Sequence, residues 1–247
     1  MKHSAMKLIL CSSALVTGLA AASPIEITDV TGSWTNMTPG ASVISGLGTD
    51  TIKWGNSNPD YQSGYSFSGS AAPAFHADEG EAFSLGEFTH FNHPTGGSPL
   101  TNAELKVTAM VNLDGVSHML ESVFNFDHWE TVNTPASGES CANGESRDSK
   151  VNQYGCADRV TLALNESSSS YYSLGSRQYY LDISGFLHDG ELAHELWTQE
   201  RSTSTSLLSG IIRSKALEVP EPSSLALVAL GLLGFFSRKL WKRQRSV

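Results

Sequence analysis

The chain has 247 residues, 40% of them hydrophobic, and its 16 Lys and Arg stand against 25 Asp and Glu for a formal net charge of −9. An acid excess of this size repels phosphate backbones and anionic lipid, which excludes nucleic acid as a partner. The length suits one domain with a full hydrophobic core, and no repeat of 20 to 50 residues points to a propeller or solenoid.

Residues 1–22 read as a signal peptide. Lys2 and Lys7 form a basic start, residues 8–19 are largely apolar, and Ala20, Ala21 and Ala22 are the small residues that signal peptidase reads. Cleavage after Ala22 is expected. Cys11 lies inside the apolar stretch instead of just after it, which disfavours a lipoprotein. An uncleaved signal anchor stays open.

Residues 23–216 then form the exported domain. They hold nine basic and 23 acidic side chains, a net charge near −14. Such a surface is solvated, or it attracts divalent cations or basic partners. Trp34, Trp54, Tyr61 and Tyr65 lie among Gly and Ser, so they either stack on sugars or pack in a core. Asp78, Glu79 and Glu81 form an acidic loop; with Asp127, His128 and Glu130 they are candidate ligands for calcium, Asp78, Glu79 and Asp127 foremost. Thr89 to Pro94 reads as a strand end entering a turn, where His90 and Asn92 either tie a polar corner or belong to a ligand site.

Further along, the period is two. Leu105, Val107, Ala109, Val111 and Leu113 alternate with polar residues, Asp114-Gly115 marks a tight turn, and Phe124 and Phe126 share one face of the next strand. Val160, Leu162 and Leu164 alternate again, as do Tyr179, Leu181 and Ile183. The pattern predicts an all-β domain, an antiparallel β-sandwich of jelly-roll type. Helix is expected only at the two ends of the chain, besides a turn near residues 188–193.

With Cys11 in the signal, Cys141 and Cys156 remain, an even count in an oxidising compartment, and a disulfide between them is expected. The polar stretch between them reads as a long loop. Two isolated cysteines lack the further soft ligands of a zinc site.

Enzyme signatures fail. His188 to Glu195 lacks the second His of a zinc-protease helix, and there is no nucleophile elbow or phosphate loop. Glu121, Asp127 and Glu130 make a glycosidase pair only if the fold sets two of them at working separation. The expectation is that the protein is not an enzyme and needs no cofactor, calcium being the one candidate.

Residues 217–247 form a three-part tail. Pro220-Glu221-Pro222 makes an extended, readable segment, residues 225–236 are apolar, and Arg238, Lys239, Lys242, Arg243 and Arg245 close the chain. Residues 223–241 approach the length of a membrane span, and the basic cluster faces the cytoplasm. This tail resembles the PEP-CTERM sorting signal. The resemblance implies that exosortase, an integral-membrane transpeptidase, reads the motif, removes the helix and passes the domain to the cell surface. A plain membrane anchor would show the same hydropathy.

Within the domain, the order of residues 52–55, 63–67, 83–94, 179–186 and 197–200 resembles the surface-protein group named for its Thr-His-x-Asn motif, a PEP-CTERM family related to choice-of-anchor domains. Thr89, His90 and Asn92 are the name-giving positions. An Asn expected a few residues after Glu200 is missing, which leaves the register of the last strand open. The combined reading is an inner-membrane intermediate that becomes a structural or adhesive protein of the surface or matrix of a Gram-negative bacterium. The alternative is a module that binds exopolysaccharide, with or without calcium.

Overall fold

The computed structural model describes residues 24–38, 43–70, 75–96, 98–135, 138–163, 169–188 and 190–217. The expected signal peptide and the tail with Pro220, Glu221 and Pro222 lie outside these residues. Among the described residues no helix is long and apolar enough to cross a membrane.

The strands, in chain order, are β1 (Ile25–Met37), β2 (Thr51–Trp54), β3 (Ser63–Gly69), β4 (Phe75–Ala77), β5 (Ala82–Asn92), β6 (Asn102–Leu113), β7 (Val116–Trp129), β8 (Asp158–Ala163), β9 (Tyr172–Leu174), β10 (Arg177–His188), β11 (Glu191–Ala193), β12 (Glu195–Thr198) and β13 (Ser202–Ala216). Two antiparallel sheets result. One has the order β12-β8-β7-β6-β1-β4, the other β11-β10-β13-β5-β3-β2, with β9 on β10.

Residue chemistry accounts for these elements locally. In β6 every second residue is buried, so one apolar row meets the second sheet and the polar row meets water. The β6–β7 hairpin turns on Asp114 and Gly115, at φ 53° and 81°. Asp tolerates the left-handed region and Gly enters it freely, which pairs Leu113 with Val116 and fixes the register of both strands. The stretch near residues 188–193 is a second hairpin, in which His188 pairs with Glu191.

The core lies between the sheets and is aromatic at its centre. Trp34 of β1 and Phe126 of β7 come from one sheet, Tyr65 of β3, Phe88 of β5 and Phe186 of β10 from the other. Phe88 stacks on Phe126 at 5.2 Å and 11°, and Trp34 meets Phe126 edge-on at 5.2 Å. Each such side chain contributes about 1.5 to 3 kcal/mol by leaving water. The sheets also curl toward each other beside β1. There the Val30 amide donates to the Ser70 carbonyl at 3.0 Å, while the Ser70 amide donates to Leu85 of the other sheet at 2.9 Å. Gly69 permits this approach, because a Cβ there would run into the Val30 carbonyl.

Candidate functional site

The aromatic core gives way to polar chemistry at one end of the sandwich. The inner face of β5 continues past Phe88 to His90 and Asn92, and that of β7 continues past Phe126 to His128. Beyond β7 the pairing of Trp129 with Arg159 brings Glu130 opposite Asp158, and Asp158 pairs with Thr198 on β12. Residues opposite one another on neighbouring strands point to the same side. Glu130, Asp158 and Thr198 therefore form one row beside His128 and across from His90 of the other sheet, with Glu200 just beyond.

His90, Asn92, Asp158, Thr198 and Glu200 are all fully buried. His90 Nδ1 lies 2.8 Å from Thr198 Oγ1, and Asn92 Nδ2 donates to the Thr198 carbonyl at 2.9 Å, so β5 is tied to β12 across the sandwich. Tyr65 Oη lies 2.6 Å from His128 Nδ1, and His128 Nε2 lies 3.4 Å from Glu130 Oε2. The Thr131 amide donates to Asp158 Oδ1 at 2.6 Å, and Asn133 donates to Glu200 Oε1 at 3.1 Å. His90 Nε2, Asn92 Oδ1, Asp158 Oδ2 and Glu200 Oε2 have no hydrogen-bond partner among the described residues.

The electrostatics follow from burial. Loss of water pushes the Asp158 carboxyl up to about 8, with the Glu130 and Glu200 charges adding to the rise and the Thr131 hydrogen bonds opposing it. Burial likewise raises Glu200 to about 7, against its bond from Asn133. His90 is held well below its ordinary value by burial first and by His128 second, so it is neutral. Tyr65 stays a phenol, its titration moved well up by burial and then by nearby carboxylates.

The disulfide borders this cluster. Cys141 and Cys156 are bridged, with Cα atoms 5.4 Å apart, as the cysteine count predicts. Asp158 follows two residues after Cys156, and Thr131 Oγ1 donates to the carbonyls of Cys156 and Ala157, both at 3.1 Å. Asn152 Oδ1 accepts from the Ala157 amide at 3.1 Å. The bridged loop thus fixes the segment that delivers Asp158.

Of the calcium candidates, His128 and Glu130 meet, whereas Asp78, Glu79 and Asp127 are not part of that group. Glu79 binds Arg177 at 2.7 Å and Ser214 at 2.6 Å, Asp78 is exposed, and Asp127 accepts from Asn102 at 2.9 Å on the outer face of β7. Among the described residues, the group whose ligand atoms converge is His128, Glu130 and Asp158, within 4.8 Å of one another. Asp158 was the residue missed. Its signal lies in the sequence, since it keeps step with Val160 and Leu162 and so occupies a core phase with a charged side chain.

Trp34, Trp54 and Tyr65 are buried, while Tyr61 is 58% exposed at a cleft lined by Asn56, His93, Pro94 and Arg201. Exposed aromatic chemistry lies elsewhere. On the outer face of the first sheet, the Arg159 guanidinium lies 4.7 Å from the Trp129 ring and 5.6 Å from that of Trp197.

Comparison with curated proteins finds no match. A family model described as the PEP-CTERM protein-sorting motif matches residues 218–243, which include Pro220, Glu221, Pro222 and the basic residues through Arg243. The β-domain is therefore joined to a signal for exosortase-dependent sorting to the cell surface or exterior.

Proposed function

We propose that the domain is a non-catalytic structural protein of the cell surface or extracellular matrix, displayed after exosortase has removed its membrane-embedded tail. The signal peptide and the basic-flanked apolar helix of the tail belong to this reading, with signal peptidase acting at one end and exosortase at the other. The Thr-His-x-Asn resemblance points the same way.

The observation that carries it is the burial of Trp34, Trp54 and Tyr65 between the sheets. A module that grips sugar by stacking keeps such rings coplanar on an open face, whereas here they hold the sandwich together. The bridged loop and the buried acid cluster also favour endurance over turnover, since catalysis needs groups that substrate can reach. Cells carrying a deletion of the protein should lose matrix cohesion. Restoration by the full chain, and by a chain with Glu200→Gln, supports a role independent of acid chemistry; matrix indistinguishable from the parent's in the deletion strain defeats it.

One observation favours the second reading, exopolysaccharide binding. Trp129, Arg159 and Trp197 form an outward-facing group, with the two indole rings 6.5 Å apart. A glycan array with the parental chain and a Trp129→Ala, Trp197→Ala variant separates the readings. Glycan retention lost in the variant makes the protein a binder, and no retention by either chain leaves the structural role.

A further inference from the structure

We propose that His128, Glu130 and Asp158 form a binding site for one divalent transition-metal ion of the zinc class. The inference is independent of the sorting signal and of any sugar bound at the outer face. Topology brings the three together: Glu130 and Asp158 stand opposite each other on neighbouring chain segments, and His128 precedes Glu130 by two residues on the same strand line. Their ligand atoms all lie within 4.8 Å of one another.

The spacing fits an ion of that size. Metal bonds of about 2.0 to 2.1 Å arranged tetrahedrally place ligand atoms about 3.3 Å apart. His128 Nε2 and Glu130 Oε2 are already 3.4 Å apart, so an ion can sit between them while Asp158 closes by a small side-chain movement.

Asp158 supplies a second observation. It is fully buried, its Oδ1 is occupied by the Thr131 amide, and its Oδ2 has no partner among the described residues. An acceptor buried in this way is costly unless something donates to it or coordinates it. A bound cation would do so, and the two carboxylates would balance its double charge.

The imidazole is also oriented for the task. The His128 side chain is fully buried and its Nδ1 is fixed by Tyr65 Oη at 2.6 Å, which aims Nε2 toward Glu130. With Nε2 bound to metal, Nδ1 carries the proton and donates to the Tyr65 oxygen. Metal-bound histidines are held through their second nitrogen in this manner. One imidazole with two carboxylates selects a borderline ion, because calcium takes six to eight oxygen ligands and copper(I) seeks thiolate. The Glu130 side chain, 12% exposed, gives the ion its route from solvent, and water completes the coordination.

The test uses the full chain in mild detergent, stripped with chelator and then titrated with zinc by calorimetry. One equivalent should bind and raise the melting temperature, and Glu130→Gln should weaken zinc at least tenfold. Glu130 is partly exposed and the change is isosteric, so this variant should fold even if Asp158→Asn does not. Cobalt(II) in place of zinc should give the visible absorption of a four-coordinate ion in the parental chain and lose it in Glu130→Gln. Asp78→Asn, a change in the remote acidic loop, should leave zinc affinity at the parental value. Absence of zinc uptake, equal affinity in parent and Glu130→Gln, or stabilisation by calcium without stabilisation by zinc would each overturn the proposal.

Discussion

His90 shows how one side chain can serve two sheets. Its ring sits 5.1 Å from Tyr65 and 5.4 Å from His128, with Nδ1 on the Thr198 hydroxyl, so it joins β5 to β12 through a single hydrogen bond inside the buried polar cluster. His90→Ala leaves that hydroxyl short of a partner and opens a cavity. The expected loss is about 1 to 3 kcal/mol from the orphaned group, read from urea denaturation without any ligand. Unchanged stability would mean that the corner is held by Asn92 alone. The carboxyls make a separate, pH-dependent statement. Asp158 rises from 3.8 to about 8 and Glu200 from 4.5 to about 7, so folding takes up protons at both. Their contribution is complete at low pH and is lost as pH climbs through these windows. His90, whose value is lowered, acts oppositely and weakens the fold as pH falls below its ordinary value of 6.5. Between pH 6.5 and 8 the acids dominate, so metal-free protein should lose stability across that range. Asp158→Asn should flatten the decline; a parental slope in that variant would remove Asp158 as its source.

At the level of elements, the loop between β7 and β8 has little apolar content and depends on cross-links. Its anchors are the Cys141–Cys156 bridge, the paired amides of Asn143 and Asn152 at 3.1 Å, and the Asn152 contact with the Ala157 amide. Closing a loop of this length restricts the unfolded chain by about 3 kcal/mol. Replacing both cysteines by Ser should lower stability by that order and loosen Asp158, which enters β8 directly after the bridge. Mass analysis after alkylation should show two thiols that become reactive only with reductant, and labelling of both without it would contradict the bridge. Gly155 belongs to the same loop. At φ 138°, a Cβ there would press on the side-chain Oδ1 of Asn133 and on Glu200 Cγ, 2.7 Å away. Gly155→Ala should therefore cost more than an ordinary loop substitution, on the order of 1 to 3 kcal/mol by the analogy of overpacking, and hydrogen exchange near Thr131 should quicken. Unchanged exchange there would show that the loop yields without disturbing the cluster.

For the whole molecule, sorting and folding are separable. Replacing Pro220-Glu221-Pro222 by Ala-Ala-Ala should leave the β-domain folded but keep the chain at its precursor mass in the membrane fraction. Identical mass and partition for parent and variant would reduce the motif to a spacer. Features that depend on short-range chemistry are legible along the chain: alternation in β6, the Asp114-Gly115 turn that sets its hairpin, and a tail whose composition is its message. The sequence also narrows the cysteines to one pairing, because only two remain to pair. The packed fold settles what Trp34, Trp54 and Tyr65 do, since an aromatic residue in a strand reads alike whether its face meets sugar or the opposing sheet. It also fixes the register of β13, setting Ser202 against Asn92 and Thr205 against Thr89, which the motif alone does not specify. The convergence of His90, His128, Asp158 and Glu200 was beyond local reading for the same reason. Residues up to 110 positions apart meet there because strand order, which is fixed by the global burial of apolar faces, brings the ends of β5, β7, β8 and β12 to one end of the sandwich.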